Sequence, residues 1–338
     1  MRDYGLTATE QEVKRIERKI KDIYSQAEKE IDEKIADFVK KYEKKEAIHL
    51  QELKDGKITQ LDFDDWKAGQ VFQGKQWTAK KEQIADVLYN ANTEALNIVN
   101  GGKISVFAEN ANWTAYDLEH TAGVNFGFGL YDSTTVTKML KDDPEILPYK
   151  KLNKQKDTRW NFKNIKSQIT QGIIQGEGIP QIAKRLSQAT SSTNRAQMYR
   201  TARTAMTSAQ NGGRLQRLKE ASDKGIKLQK EWLATLDGRT RDEHRDLDGQ
   251  KVPIDKPFKV GGREIEFPGD PHAHPSLVYN CRCTLLADLE DYPDDKYTQR
   301  RDQETGEPIA DMTYREWEKS KKNNPISTEK EGTYGTNG

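Results

Sequence analysis

The chain has 338 residues, 34% hydrophobic and 32% charged, with a formal net charge of +1. That length fits about two domains, and the lean apolar content supplies one compact core more readily than two large ones. A near-zero charge excludes a protein that coats nucleic acid over its whole surface. No apolar run approaches the ~20 residues that span a bilayer. Met1–Gly5 also lacks the apolar core of a signal peptide, so synthesis in the cytoplasm and no membrane association are expected. The two cysteines, Cys281 and Cys283, are one residue apart. A disulfide between them would be strained, which leaves reduced thiols or thiolates on a metal.

Along the chain, Thr9-Glu10-Gln11-Glu12 fits a capping box. Val13, Ile16, Ile20, Ile23, Ala27, Ile31, Ile35, Phe38 and Tyr42 follow at spacings of three or four, which predicts a long helix with one apolar stripe. A helix this charged needs a partner helix in the same chain, in a second copy through self-association, or in another protein. A helical turn region is expected over 50–66. A second helix is expected over 77–100, with Trp77, Ile84, Val87, Leu88, Ala91, Ala95, Leu96 and Val99 inside and Gly101-Gly102 ending it. The stretch with Trp113, Tyr116, the glycines and aromatics of 124–129, and Pro144 to Pro148 reads as a loop or connector.

Residues 138–166 carry nine Lys or Arg against four Asp or Glu, a basic linker feeding a helix from Asn161. Gly176 to Pro180 breaks that helix, and a short one with Ile182, Ala183 and Leu186 follows. A long helix is then expected from Ser192 to Ala221. It is rich in small residues (Ala196, Ala202, Ala205, Ser208, Ala209, Gly213) that let another backbone approach. Residues 182–230 hold eleven Lys or Arg against Glu220 and Asp223, whereas 288–318 hold eleven Asp or Glu against four Lys or Arg. Two readings stand. The basic helix and acidic tail neutralise each other within the fold, or Arg195, Arg200, Arg203, Arg214 and Arg217 face phosphate or an acidic partner.

From Trp232 the character changes to short apolar runs between turn residues. Glu231 to Leu236, Ile265 to Phe267 and Thr284 to Leu286 read as strands, and Leu247-Asp248-Gly249 as a tight turn. The chain reads Trp232-Leu233-Ala234-Thr235-Leu236-Asp237, then Arg239-Thr240-Arg241 with His244 and Leu247-Asp248-Gly249. A Pro268-Gly269-Asp270 loop follows, and then Asn280-Cys281-Arg282-Cys283. Upstream, Trp160 opens a helix, Gly176 and Gly178 precede Ile182, and Ala202-Arg203-Thr204 is followed by Asn211; downstream, Tyr314 and Trp317 fit as well. Over roughly 157–318 the chain resembles the phage head morphogenesis domain of Mu F-like, SPP1-type minor head proteins. That resemblance implies a capsid component of the virion, held at the portal protein inside the procapsid, that assists head assembly and DNA packaging or ejection. It also implies contact with packaged double-stranded DNA and with the major capsid or scaffold protein.

His and Cys thiolate are the usual zinc ligands. Many relatives look as though they carry cysteines where Arg241 and His244 stand, and Arg241 cannot ligate. His244, His272 or His274, Cys281 and Cys283 remain as a candidate zinc site, with His274 the preferred fourth ligand. The alternative is a buried His244 paired with Asp237 or Asp248, the cysteines serving as small core residues. Asp237, Asp242, Asp246 and Asp248 beside His244 would also suit a cation for phosphodiester cleavage. No phosphate loop, nucleophile elbow or His-Glu-x-x-His supports catalysis, however. The expected protein is therefore not an enzyme, with a DNA-binding ejection factor and a metal-dependent nuclease as alternatives. Its expected class is α+β, mainly helical with a small strand-containing C-terminal domain. The expected segments are a helical arm or bundle at 1–150, further helices at 151–230, a strand-rich module at 231–290 and an acidic tail at 291–338.

Overall fold

The computed structural model describes residues 3–72, 74–290, 299–301, 308–310 and 316. Most of the acidic tail, with Tyr314 and Trp317, lies outside the described residues, as does the side chain of Trp77. The helices are α1 (Tyr4–Lys54), α2 (Gln60–Phe72), α3 (Gly74–Ala122), α4 (Ser133–Asp142), α5 (Lys154–Ile174) and α6 (Ile179–Asp223). A short α/β region follows: β1 (Leu228–Leu233), α7 (Asp242–Leu247), β2 (Lys251–Pro253), β3 (Phe258–Val260), β4 (Arg263–Ile265), α8 (Pro275–Val278), β5 (Thr284–Leu289), β6 (Gln299–Arg301) and β7 (Pro308–Ala310). The protein is thus mainly helical with a small antiparallel β region, the class read from the sequence.

The helices run further than local signals predict. α1 starts at Tyr4 and is capped by Asp3, whose Oδ1 accepts from the Leu6 amide at 2.8 Å. Thr9 therefore lies inside the helix, buried, and its capping box is not used. α3 passes straight through Gly101-Gly102 and includes Trp113 and Tyr116, which the sequence suggested as connector. Gly102 does not end the helix. A Cβ there would sit 2.5 Å from Ile16 Cδ1, so the glycine makes room for α1. α6 is one helix where a short and a long one were expected. α5 begins at Lys154, capped by the Asn153 side chain, earlier than the expected Asn161.

The chain forms two compact units, each discontinuous in sequence and interleaving the expected linear segments. One comprises 7–106 and 133–206. Here the stripe of α1, with Ile16, Ile20, Tyr24, Ile31 and Ile35, is buried, as are Ile84, Leu88 and Val99 of α3, Ile165 of α5 and Ile182 and Leu186 of α6. The partner helices that α1 needs are therefore in its own chain. A polar layer crosses this core. The Tyr24 hydroxyl donates to Asn92 Oδ1, and Asn92 Nδ2 donates to Asp157 and to Asn194, each at 2.9 Å. Asn194 then donates to Asn161, and Asn161 to the other oxygen of Asp157, each at 3.0 Å. Burial pushes the Asp157 carboxyl above its ordinary value against the opposing pull of the Asn92 and Asn161 bonds. Four helices are tied at one level by buried polar groups that bond to one another, which fixes their register.

The other unit comprises 1–6, 107–132 and 207–338. Its sheet is antiparallel with strand order β2-β1-β5, and Trp232 stands opposite Leu285. β3 pairs with β4, and β6 with β7, as separate two-stranded ribbons. β1 alternates buried Leu228, Lys230 and Trp232 with half-buried neighbours, the period of a strand covered on one face. Its core gathers Trp232, Phe258, Ile265, Leu247, Leu277 and Leu285 with Leu215 and Leu218 of α6.

At Gly213 of α6 another backbone comes very close. A Cβ there would meet the Phe107 carbonyl oxygen at 2.3 Å, and a backbone cannot swing aside as a side chain can. Gly101 of α3 has nothing within 4 Å of the same position. Gly213→Ala is expected to lower the unfolding free energy by about 2–4 kcal/mol through this overlap. Gly101→Ala is expected to raise it by about 0.5–1 kcal/mol through helix propensity. Denaturant unfolding of the two variants checks both signs.

Candidate functional site

The motif residues converge on one side of α6. Asn211, fully buried, is the anchor. Its Nδ2 donates to the Pro268 carbonyl at 2.9 Å and the Cys283 carbonyl at 3.1 Å, and its Oδ1 accepts from the Leu285 amide at 2.8 Å. Thr207, one turn earlier, donates to the Cys281 carbonyl at 2.9 Å, and Gln210 Nε2 lies 3.2 Å from Thr284 Oγ1. Gly269, at φ 86°, lets the Pro268–Asp270 loop lie on α6, since a Cβ there would be 2.9 Å from the Ser208 amide nitrogen. The Asp270 carboxylate closes that loop by accepting from the Glu266 and His272 amides at 3.1 and 2.9 Å.

The remaining motif positions also have structural work. Trp232 is fully buried, with its ring edge-on to His244 (centroids 5.5 Å) and to Phe258 (5.4 Å). Asp248 accepts from the Ala234 amide at 2.6 Å, and Gly249, at φ 75°, returns its amide to the Trp232 carbonyl at 2.8 Å. Asn280 holds φ 55°, a left-handed conformation that asparagine tolerates better than most residues. Asp237 binds the Arg282 guanidinium through both oxygens and accepts from the Arg239 amide at 2.9 Å. Burial alone would raise the Asp237 pKa, but the Arg282 and Arg239 bonds outweigh it and hold the carboxyl at about 2.

His244, Cys281 and Cys283 come together, all buried, with ligand-type atoms within 4.8 Å of one another. His244 Nδ1 lies 3.3 Å from Cys283 Sγ and 3.6 Å from Cys281 Sγ. A tetrahedral zinc bound at about 2.0–2.1 Å to nitrogen and about 2.3 Å to sulfur sets such edges near ~3.5 Å, so the spacing of these three donors fits a metal. The fourth expected ligand does not join them. His274 is exposed and caps α8 through Ser276, and His272 is likewise exposed. The fourth neighbour is instead Arg241, whose Nη2 is 3.0 Å from His244 Nε2 and whose Nη1 donates to the Tyr279 carbonyl at 2.6 Å. His244 thus pairs with Arg241 and the sulfurs, and both its ring nitrogens are engaged without Asp237 or Asp248. Burial pushes the Cys281 thiol up, but the bonds from Cys283 and the nearby Arg241 and Arg282 bring it below its ordinary value. Burial and Cys281 hold Cys283 well above its own.

The basic helix divides. Arg214 and Arg217 are buried, which corrects their reading as partner-facing cations. Arg214 grips both oxygens of Asp3 at 2.9 and 2.8 Å and donates to Asn110 at 3.1 Å. Arg217 donates to Glu220, to the Gly129 carbonyl at 2.8 Å and to the Ala111 carbonyl at 3.2 Å, and it lies over the Tyr131 ring at 4.2 Å. A charge out of water needs such partners. Arg203 pairs with Glu17 at 2.6 Å, Arg195 is half-buried, and Arg200 is exposed. Sequence reasoning also missed Lys230. It is fully buried, donates to the carbonyl and carboxylate of Glu266 at 3.0 Å each, and lies over the Phe258 ring. Its alternation with Leu228 and Trp232 on β1 is the signal that could have placed it inside.

The Asp237–Arg282 pair gives a sign-defined pH dependence. Because the folded-state pKa is depressed to about 2, the stabilisation is complete above the unfolded value of about 4 and is lost as pH falls from there through about 2. Wild type is expected to exceed Asp237→Asn by about 2 kcal/mol at pH 7, and the gap should shrink steadily below about pH 4 and close near about pH 2. Urea unfolding across that range checks it.

Residues 163–286 match the family model of the Phage Mu protein F like protein. The chain is 30% identical over 309 residues to Minor head protein GP7 of Bacillus phage SPP1, which covers 91% of this chain and 96% of that protein. It is also 30% identical over 155 residues to the NAD(+)–arginine ADP-ribosyltransferase EFV of Enterococcus faecalis, but this covers 46% of the chain and only 31% of that transferase. No solved structure matches the chain. With the Trp232–Cys283 motifs folded as one module and a relative matched over nearly its whole length, the chain belongs to the Mu F-like family of phage minor head proteins.

Proposed function

We propose that the chain is a structural component of a phage head, seated at the portal inside the procapsid, where it assists head assembly and the packaging or ejection of DNA. The similarity to a minor head protein over nearly its full length carries this reading. The geometry agrees with it. The motif residues hold backbone segments together, as in a scaffold that presents surface to partners. Among the described residues, the carboxylates proposed for a metal-dependent nuclease form no metal-type group. Asp237 is bound by Arg282 and Asp242 by Arg245. Among the described residues, His244, Cys281 and Cys283 form the only metal-type group. The similarity to an ADP-ribosyltransferase spans a minor part of that enzyme, and its activity is not carried over to this chain.

Contact with packaged DNA is a second reading, narrowed by the burial of Arg214 and Arg217 to exposed Arg200 and half-buried Arg195 on α6. The major capsid or scaffold protein, and a second copy of the chain, are further partners of the same proposal. Co-expression with the portal protein of the same phage tests the main reading, and the chain is expected to co-sediment with assembled portal rings. Sedimentation of the folded chain apart from the rings would contradict it. In gel retardation at physiological salt, Arg195→Ala with Arg200→Ala is expected to reduce any DNA binding, since phosphate contacts of this kind are salt-sensitive.

A further inference from the structure

The His–Cys–Cys cluster has the spacing of a metal centre, yet one neighbour sets its chemistry differently. A guanidinium carries only donors and stays charged at any ordinary pH. Arg241 Nη2 lies 3.0 Å from His244 Nε2, while Nη1 donates to the Tyr279 carbonyl at 2.6 Å, so the guanidinium is fixed at two points. Nε2 must then offer its lone pair to Arg241. A neutral imidazole with an accepting Nε2 carries its proton on Nδ1. Nδ1 is the atom that faces the sulfurs, at 3.3 and 3.6 Å. A metal between His244 and the cysteines would need that same Nδ1 lone pair, with Nε2 turned into a donor toward an acceptor, the usual arrangement around a ligating histidine. Arg241 offers Nε2 no acceptor.

We propose that Arg241 makes His244 a hydrogen-bond donor to Cys281 and Cys283, so that the cluster is a metal-independent lock closed by a guanidinium–imidazole–sulfur relay. The lock joins three parts of the module: Arg241 at the N-terminus of α7, His244 within it, and the Asn280–Cys283 turn, whose left-handed Asn280 aims both sulfurs inward. His244 is also edge-on to Trp232, so the relay holds the ring at the centre of the unit's core. The inference goes beyond the head-protein reading and can fail without it.

The test uses the full-length, untagged protein. Long-range proton–nitrogen NMR of the histidine side chains is expected to show His244 protonated on Nδ1 at neutral pH. The purified chain is expected to carry well under about 0.1 zinc per molecule, and Co(II) should give it no sulfur-to-metal charge-transfer band. Arg241→Gln places an amide oxygen opposite Nε2 and keeps a donor for the Tyr279 carbonyl. It is expected to turn the proton onto Nε2 and to raise Co(II) affinity at least about tenfold, the scale on which the partners of ligating histidines act. A proton on Nε2 in wild type, about one zinc per chain, or a melting temperature that drops with chelator would each overturn the proposal. If Arg241→Gln does not fold, the wild-type tautomer and metal content decide it alone.

Discussion

One side-chain amide holds the C-terminal module together. Asn211 is fully buried on α6, and its three short bonds reach the Pro268 carbonyl, the Cys283 carbonyl and the Leu285 amide. A side-chain amide carries two N–H donors and a carbonyl acceptor in one plane, and this one stitches a loop and a strand start to a helix. Gly269 is needed because the loop must lie on the helix backbone for Asn211 to reach it. Thr207 and Gln210, on the turn before, extend the same seam to Cys281 and Thr284. Each of these groups would be a buried, unpaired polar atom if the seam opened.

Much of this was legible in the sequence, but unevenly. The apolar stripe of α1 and the helix interruption at Gly176–Pro180 follow from periodicity and breakers. So do the approximate places of β1, β4 and β5. The motif residues from Trp232 to Cys283 marked the module, because each is a residue type with a special backbone or hydrogen-bonding role. The glycines misled. Gly101-Gly102 reads as a helix end by local chemistry, whereas close approach to Ile16 is a tertiary demand that no local window contains. The arginines misled for a related reason. Arg214 and Arg217 lie on a basic helix, and only the fold shows that Asp3, Glu220 and a set of carbonyls from distant positions surround them. His274 was grouped with His244 by residue type alone, and its own local bond to Ser276 takes it elsewhere.

The chain's charge therefore does two kinds of work. A near-neutral total hides cations that are structural, each buried and saturated with acceptors, and others such as Arg200 that remain on the surface. The same division applies to the carboxylates. Asp3, Asp237 and Asp270 are engaged in internal bonds. Most of the buried polar groups of the C-terminal module find partners inside it, which favours rigidity.

The seam at Asn211 is the claim on which this account turns, and Asn211→Asp addresses it with no change of size. A carboxylate still accepts from the Leu285 amide but can donate to neither the Pro268 nor the Cys283 carbonyl. The unfolding free energy at neutral pH is expected to fall by about 2–4 kcal/mol, the scale of buried carbonyls left facing a charge. A loss within about 0.5 kcal/mol of wild type, the scale of an ordinary surface substitution, would contradict the account.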